Sequence, residues 1–228
     1  CIEASLQELR LAVEGKTAMS AEPDKLLTDL NNNQVPRMWS EKAYPSLKSL
    51  PSWLKDLKKR VLFIKEWLTS GKPTHYWISG LFFPQGFLTG VLQTHARKYM
   101  MPIDKYQFTF KITEFDSNSS IAPPDEGVYI SGLFLEGASL DKKRKVLVDQ
   151  SPNELFFTMP IIHFIPKEFN DLRGAYYQCP LYKTLQRAGT LSTTGQSTNY
   201  IFDVNIPCDK TPDFWTMRGV ALFTMLND

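Results

Sequence analysis

The 228-residue chain is 43% hydrophobic and 22% charged, close to the averages of soluble globular proteins, which excludes disorder over most of its length and allows one large domain or two small ones. Its 26 Lys and Arg against 24 Asp and Glu leave a net charge of +2, too balanced for the basic surface of a nucleic-acid binder or a polybasic membrane anchor. Cys1, Cys179 and Cys208 contain no CxxC pair, so neither a disulfide framework nor a zinc site is expected, and a reducing cytosol is the natural compartment.

Helical periods fill the first hundred or so residues. Ile2, Leu6, Leu9 and Val13 share one helical face, with Gly15 as C-cap. Ser20 is the expected N-cap of a second helix carrying Leu26, Leu27 and Leu30, which ends in the Asn31-Asn32-Asn33 run before Val35-Pro36. After turn signals at Tyr44-Pro45 and Leu50-Pro51, a long helix is expected from Ser52 to Thr69, stopped by Gly71 and Pro73. Leu54, Leu57, Val61, Ile64 and Leu68 form its apolar stripe, while Lys55, Lys58, Lys59 and Lys65 fall mostly opposite and read as a solvated face. A fourth helix starts near Pro84, carries Leu88, Val91, Leu92, His95 and Tyr99, and stops before Pro102; Gly86 and Gly90 on it read as a mark of close packing. No run reaches the roughly 18 apolar residues that span a bilayer. Tyr76 to Leu88 comes nearest, and Ser79, Gly80, Pro84, Gln85 and Gly86 interrupt it. Opening at Cys1, with neither an initiator Met nor a signal-peptide pattern, the sequence reads as a piece of something longer.

From Lys105 the period changes to two. Tyr106, Phe108, Phe110 and Ile112 alternate with polar residues, as a half-buried antiparallel strand requires. Further strand-like runs are Val128 to Leu135, Lys145 to Asp149, Leu155 to Ile165, Ala175 to Tyr182, Tyr200 to Ile206 and Trp215 to Leu226, separated by Pro- and Gly-bearing turns. The expected fold is therefore α+β: a helical region over residues 1–104, then a small antiparallel β-barrel or sandwich over residues 105–228.

Chemistry-bearing motifs are sparse. Gly15-Lys16-Thr17 resembles the tail of a P-loop, but Arg10 stands where the first glycine must be, and a helix precedes it where a strand is required. The three histidines, His75, His95 and His163, sit in no ligand spacing, and His163 alternates with Ile161 and Ile165 as a hydrogen-bonded core histidine would. A nucleophilic pair of Cys179 with His163 has no surrounding signature. Asn118-Ser119-Ser120 fits the glycosylation pattern but reads as a polar loop, and the Ser/Thr-rich stretch Leu191 to Asn199 reads as a hairpin connection. The apolar run from Tyr76 to Pro84 stands out instead. It reads either as a wedge joining the two halves or as a docking patch, with Trp77, Phe82, Phe83, Pro84 and Gln85 as the residues singled out.

Trp77-Ile78-Ser79-Gly80-Leu81-Phe82-Phe83-Pro84-Gln85-Gly86-Phe87-Leu88 closely resembles the C-terminal region of dynein heavy chains. Asn33-Gln34-Val35-Pro36, Tyr44-Pro45-Ser46-Leu47-Lys48, Gly132 to Ala138, Cys179-Pro180-Leu181-Tyr182-Lys183-Thr184, Gly189 to Gly195 and Arg218-Gly219-Val220-Ala221-Leu222 resemble the same family in the same order, so the resemblance covers essentially the whole length. The Gly-Thr-Leu-Ser-Thr-Thr-Gly block is more similar to the axonemal branch. Ser139-Leu140, where the family often has Arg-Trp, and Gln196, where it has His, are departures.

The resemblance implies a noncatalytic C-terminal domain on one face of the AAA+ ring of an ATP-driven microtubule motor of the cytoskeleton, specifically of the ciliary or flagellar axoneme. Its first helices are placed at the end of the last ring module. Its partners would be the AAA+ modules of the same polypeptide and, through the parent motor, dynein subunits and microtubules, with no nucleic acid and no membrane. ATP and Mg belong by resemblance to the parent motor, and no cofactor or metal is assigned to this segment. One reading from a different class stays open beside it: a small free-standing cytosolic enzyme using Cys179 or one of the histidines.

Overall fold

The computed structural model describes residues 1–117, 119, 121–168, 175–189, 191 and 197–227, and the polypeptide forms two compact units. The first comprises Cys1–Leu62 with the tail from Leu226, and the second comprises Phe63–Met225.

In the first unit, helices α1 (Ile2–Val13) and α2 (Ala21–Asn31) precede a single turn, α3 (Arg37–Ser40), and the start of α4 (Leu50–Ser70). Two Schellman closures end the first pair. Gly15 at φ +71° lets Lys16 N–H reach the Leu11 carbonyl, and Asn33 at φ +57° lets Gln34 N–H reach Asp29. Asn serves because its short amide tolerates the left-handed region. Helix α1 is rotated from its expected face: Ser5, Leu9 and Ala12 are buried, whereas Leu6 and Val13 are exposed. The Trp39 indole N–H donates to Ser5 Oγ at 3.0 Å, so a polar position faces inward because a buried ring needs its acceptor. The Trp53 ring lies between those of Trp39 and Tyr44, with centroids 6.3 and 6.1 Å away and planes inclined by 21°.

Helix α4 is also rotated from expectation. Trp53 and Arg60 are its buried residues, and Phe63 and Trp67 continue that face as half-buried rings. Val61, Ile64 and Leu68 point outward at 59%, 39% and 82% exposure. Two apolar series compete on this helix, and the aromatic one wins because each ring buries more area than an aliphatic side chain.

The second unit carries the remainder of α4, β1 (Tyr76–Trp77), α5 (Pro84–Tyr99), ten further strands and the short α6 (Pro212–Met217). Strands β2 (Tyr106–Ile112), β3 (Val128–Ser131) and β8 (Ile162–Glu168) join β1 in one sheet of order β1-β3-β8-β2, in which only the β1–β3 pair is parallel. The second sheet uses β4 (Phe134–Glu136), β7 (Phe156–Thr158), β9 (Tyr176–Tyr182), β10 (Tyr200–Pro207) and β11 (Ala221–Phe223) in the order β10-β9-β11-β4-β7. A hairpin of β5 (Ser139–Asp141) and β6 (Val146–Val148) completes the set. The α+β class stands. Both larger sheets keep two edges, so the β region is built of open sheets and not a closed barrel.

Three expected runs are subdivided for local reasons. Gly132 at φ +80° separates β3 from β4. Pro160 lies between β7 and β8, where it cannot donate to a ladder. The expected strand from Trp215 begins inside α6, because Pro212 presets its first turn and Gly219 at φ +63° ends it before β11. The β2 alternation appears as read: Tyr106 and Ile112 are buried, and the Phe108 and Phe110 rings lie 5.7 and 5.0 Å from Phe164 at the centre of the core. One apolar cluster runs from Tyr76, Ile78 and Leu88 through Ile130, Ile162 and Phe164 to Leu181, Val204 and Leu222. Among the described residues no helix is long and apolar enough to cross a membrane. Most of the Gly189 to Gly195 block, and Asn118 with Ser120, lie outside the described residues.

Candidate functional site

The five residues singled out from Trp77 to Gln85 are sorted by the fold into two sets. Trp77 lies in β1 opposite Ser131 and fits between two bare backbones: a Cβ at Gly80 or at Gly132 would come within 2.5 Å of its ring. The Phe63 ring meets it edge-on at 6.0 Å, and Trp67, Tyr76 and Phe87 continue the aromatic packing with centroids 4.7 to 6.3 Å apart. Pro84 is buried as the first residue of α5, where its missing N–H costs nothing. Gln85 turns inward, and its Nε2 donates to the Tyr200 carbonyl at 2.9 Å. Its Oε1 is buried with no hydrogen-bond partner among the described residues.

Phe82 and Phe83 face the other way. They are 68% and 63% exposed, and the Phe83 ring is held over Gly86, where a Cβ would approach to 2.4 Å. Gly86 thus marks a close contact, as read. Gly90 has open space around it, which corrects the expectation of close packing there. Three anchored residues hold two exposed phenylalanines on a short connection between β1 and α5. Such a pair loses little entropy on binding and offers apolar area to a partner.

The residues that could support an enzyme are placed differently. Cys179 is wholly buried in β9 beside Val204 of β10, and burial followed by the nearby Asp203 charge pushes its thiol well above the usual range. A thiol held protonated away from water is a poor nucleophile. His163 Nε2 donates to the Glu126 carbonyl at 2.7 Å and its ring lies 4.7 Å from Tyr129. His75 Nδ1 is 2.9 Å from Ser131 Oγ, and His95 lies between the Tyr99 and Tyr106 rings. Each histidine is thus engaged in holding its own neighbourhood. Gly15-Lys16-Thr17 follows a helix, and Lys16 pairs with Glu14 at 2.7 Å. No group of three or more His, Cys, Asp or Glu that could hold a metal ion occurs among the described residues.

The sequence reading found the apolar stripe of α4 but missed that it faces outward and that Arg60 is buried. A second series spaced by seven, Trp53, Arg60 and Trp67, was the available signal.

The family profile for the C-terminal domain of the dynein heavy chain matches residues 1–224. Among curated proteins, the sequence is similar to dynein axonemal heavy chain 1 of Homo sapiens, 46% identical over 228 aligned residues that cover 99% of this chain and 5% of the relative. It is also similar to dynein axonemal heavy chain 6 of Homo sapiens, 41% identical over 247 aligned residues, and to dynein axonemal heavy chain 3 of Homo sapiens, 42% identical over 228. Each of these last two alignments covers the whole of this chain and 6% of the relative.

Proposed function

The protein belongs to the family formed by the C-terminal domains of dynein heavy chains, and we propose that it serves, without catalysis of its own, to support or regulate the AAA+ ring of an ATP-driven, microtubule-based motor. The similarity to axonemal heavy chains supports placing that motor on the cytoskeleton of a cilium or flagellum. The exposed Phe82-Phe83 pair on its anchored support carries the reading, since a domain that works by contact needs apolar groups presented to a partner. Trp77, Pro84 and Gln85 are the structural members of that site, and the AAA+ modules of the same heavy chain are the partners assigned to Phe82 and Phe83. ATP and Mg2+ are held by other segments of the heavy chain, and dynein subunits and microtubules are reached through those segments.

We keep the division into a helical region over 1–104 and a β region over 105–228 as a proposal, with the first helices at the end of the last ring module. Before residue 105 the described residues hold five α-helices and one two-residue strand, and after it ten strands and one short α-helix.

A full-length heavy chain with Phe82→Asp and Phe83→Asp tests the reading. Nucleotide should still bind the ring with unchanged affinity, while gliding velocity per unit of ATP turnover changes. Loss of nucleotide binding in an assembled ring would assign this segment to a nucleotide site and overturn the noncatalytic reading. Unchanged velocity and unchanged turnover would remove the docking role.

A further inference from the structure

We propose that the outward stripe of α4 binds a second amphipathic helix that is apolar along one seam and acidic beside it. Leu54, Leu57, Val61, Ile64 and Leu68 alternate spacings of three and four, the heptad pattern of helix pairing. At about 100° per residue the five side chains fall within a sector of about 80° and extend about 21 Å along the axis, two heptads of a paired helix. Val61, Ile64 and Leu68 are exposed and Leu54 and Leu57 half-buried, while the helix packs inward through Trp53, Arg60 and the aromatic residues that follow. An aliphatic row that already has a second, aromatic face to hold its helix in place contributes little to the packing of its own domain.

Charge selects the occupant. On the side of the stripe away from the buried face lie Lys58 and Lys65, with Lys55 beyond them, and none of the three forms an ion pair among the described residues. Lys58 and Lys65 occupy positions flanking the apolar seam, which in paired helices face the flanking residues of the partner. Glu or Asp on the incoming helix would therefore be attracted and Lys repelled. A second copy of this protein in antiparallel register would set lysine against lysine, so self-pairing is disfavoured. This inference rests on α4 alone and stands apart from the docking role given to Phe82 and Phe83.

The test uses two fluorescein-labelled three-heptad peptides with Leu at every seam position, one with Glu and the other with Lys at all flanking positions, titrated by anisotropy against the 228-residue protein. The Glu peptide should bind saturably, at least about tenfold more tightly than the Lys peptide, and weaken as salt rises. Ile64→Glu with Leu68→Glu should reduce its affinity at least about tenfold with an unchanged circular dichroism spectrum, since both side chains are already exposed. Lys58→Glu with Lys65→Glu should reverse the preference between the two peptides, and Phe82→Ala with Phe83→Ala should leave affinity unaltered. Equal binding of both peptides, or binding indifferent to the Ile64 and Leu68 changes, would overturn the proposal. So would a dimer of the wild-type protein in sedimentation that those changes dissolve, because the stripe would then belong to a second copy.

Discussion

The Arg60 guanidinium carbon lies 3.5 Å from the centre of the Tyr44 ring, while Arg60 Nε donates to the Asp56 carboxylate at 2.7 Å. Both charged side chains are removed from water one helical turn apart, a position that Arg fills better than Lys because a planar guanidinium stacks and pairs at once. Burial, followed by the charge of Asp56, pushes the Tyr44 hydroxyl far above its usual range, which keeps it neutral. Arg60→Met should cost about 3–5 kcal/mol in denaturant unfolding by leaving a buried carboxylate unpaired. The double variant with Asp56→Leu should recover much of the loss; if it unfolds as readily as Arg60→Met, packing and not charge explains the cost.

Two glycines should respond in opposite directions to alanine. Gly127 sits at φ +73°, and a Cβ there would come within 2.0 Å of the Phe164 carbonyl oxygen in β8, which cannot move without breaking the sheet. Gly127→Ala should destabilise the protein by more than the about 1–2 kcal/mol of left-handed strain alone. Gly90, inside α5 with nothing within 4 Å, should stabilise it by about 0.5–1 kcal/mol as Ala. Thermal melts of both variants check the pair.

Acid should weaken the fold through its half-buried His75 and His163. Burial lowers the His163 pKa below 6.5, with Lys111 acting in the same sense and the Glu126 carbonyl opposing. His75 is lowered by burial too. The unfolded state therefore binds these protons first, so stability is full above pH 6.5 and is lost as pH falls below it toward the lowered folded values. Denaturant midpoints from about pH 7.5 to about pH 5 should fall, and His75→Gln with His163→Gln should flatten the slope. An unaltered slope in the double variant would place the acid sensitivity on carboxylates instead.

Thiol chemistry should divide the cysteines. Cys1 is exposed, whereas Cys179 and Cys208 are buried and both thiols are raised by burial. Ellman's reagent at neutral pH should modify Cys1 rapidly and the other two only on unfolding. Fast labelling of Cys179 in the native state would reopen the enzyme reading.

Truncating the site's two sets of side chains should separate them. Phe82→Ala and Phe83→Ala remove exposed rings and should each change stability by no more than about 0.5 kcal/mol. Trp77→Ala empties the space between Gly80 and Gly132 and should cost about 3 kcal/mol. Urea midpoints decide whether the phenylalanines serve stability or contact.

Local signals were legible where one periodicity acted alone. The α2 limits, the Asn run that closes it and the β2 alternation could be read directly because nothing competed with them. Facing was lost on α1 and α4, where tryptophans distant in sequence or on the same helix decide which side is buried. Strand lengths were lost at Gly132 and Pro160, since a run of apolar residues does not reveal where the backbone turns between sheets. For the site, the residues were legible and their directions were not: Phe82 and Phe83 resemble Trp77 in composition, and only the bare backbones of Gly80 and Gly132 decide which ring goes inside.

The position of β11 sets an order of assembly. Ala221, Leu222 and Phe223 run between β9 and β4, parallel to one and antiparallel to the other, so the sheet is completed at its middle by a segment that leaves the ribosome after all its other strands. Until then β9-β10 and β4-β7 are separate ribbons, each with an unpaired inner edge open to the wrong neighbour. A polypeptide terminated between Pro207 and Ala221 therefore keeps every other strand yet lacks the one that joins them, and its hazard is aggregation during synthesis more than the loss of three buried residues.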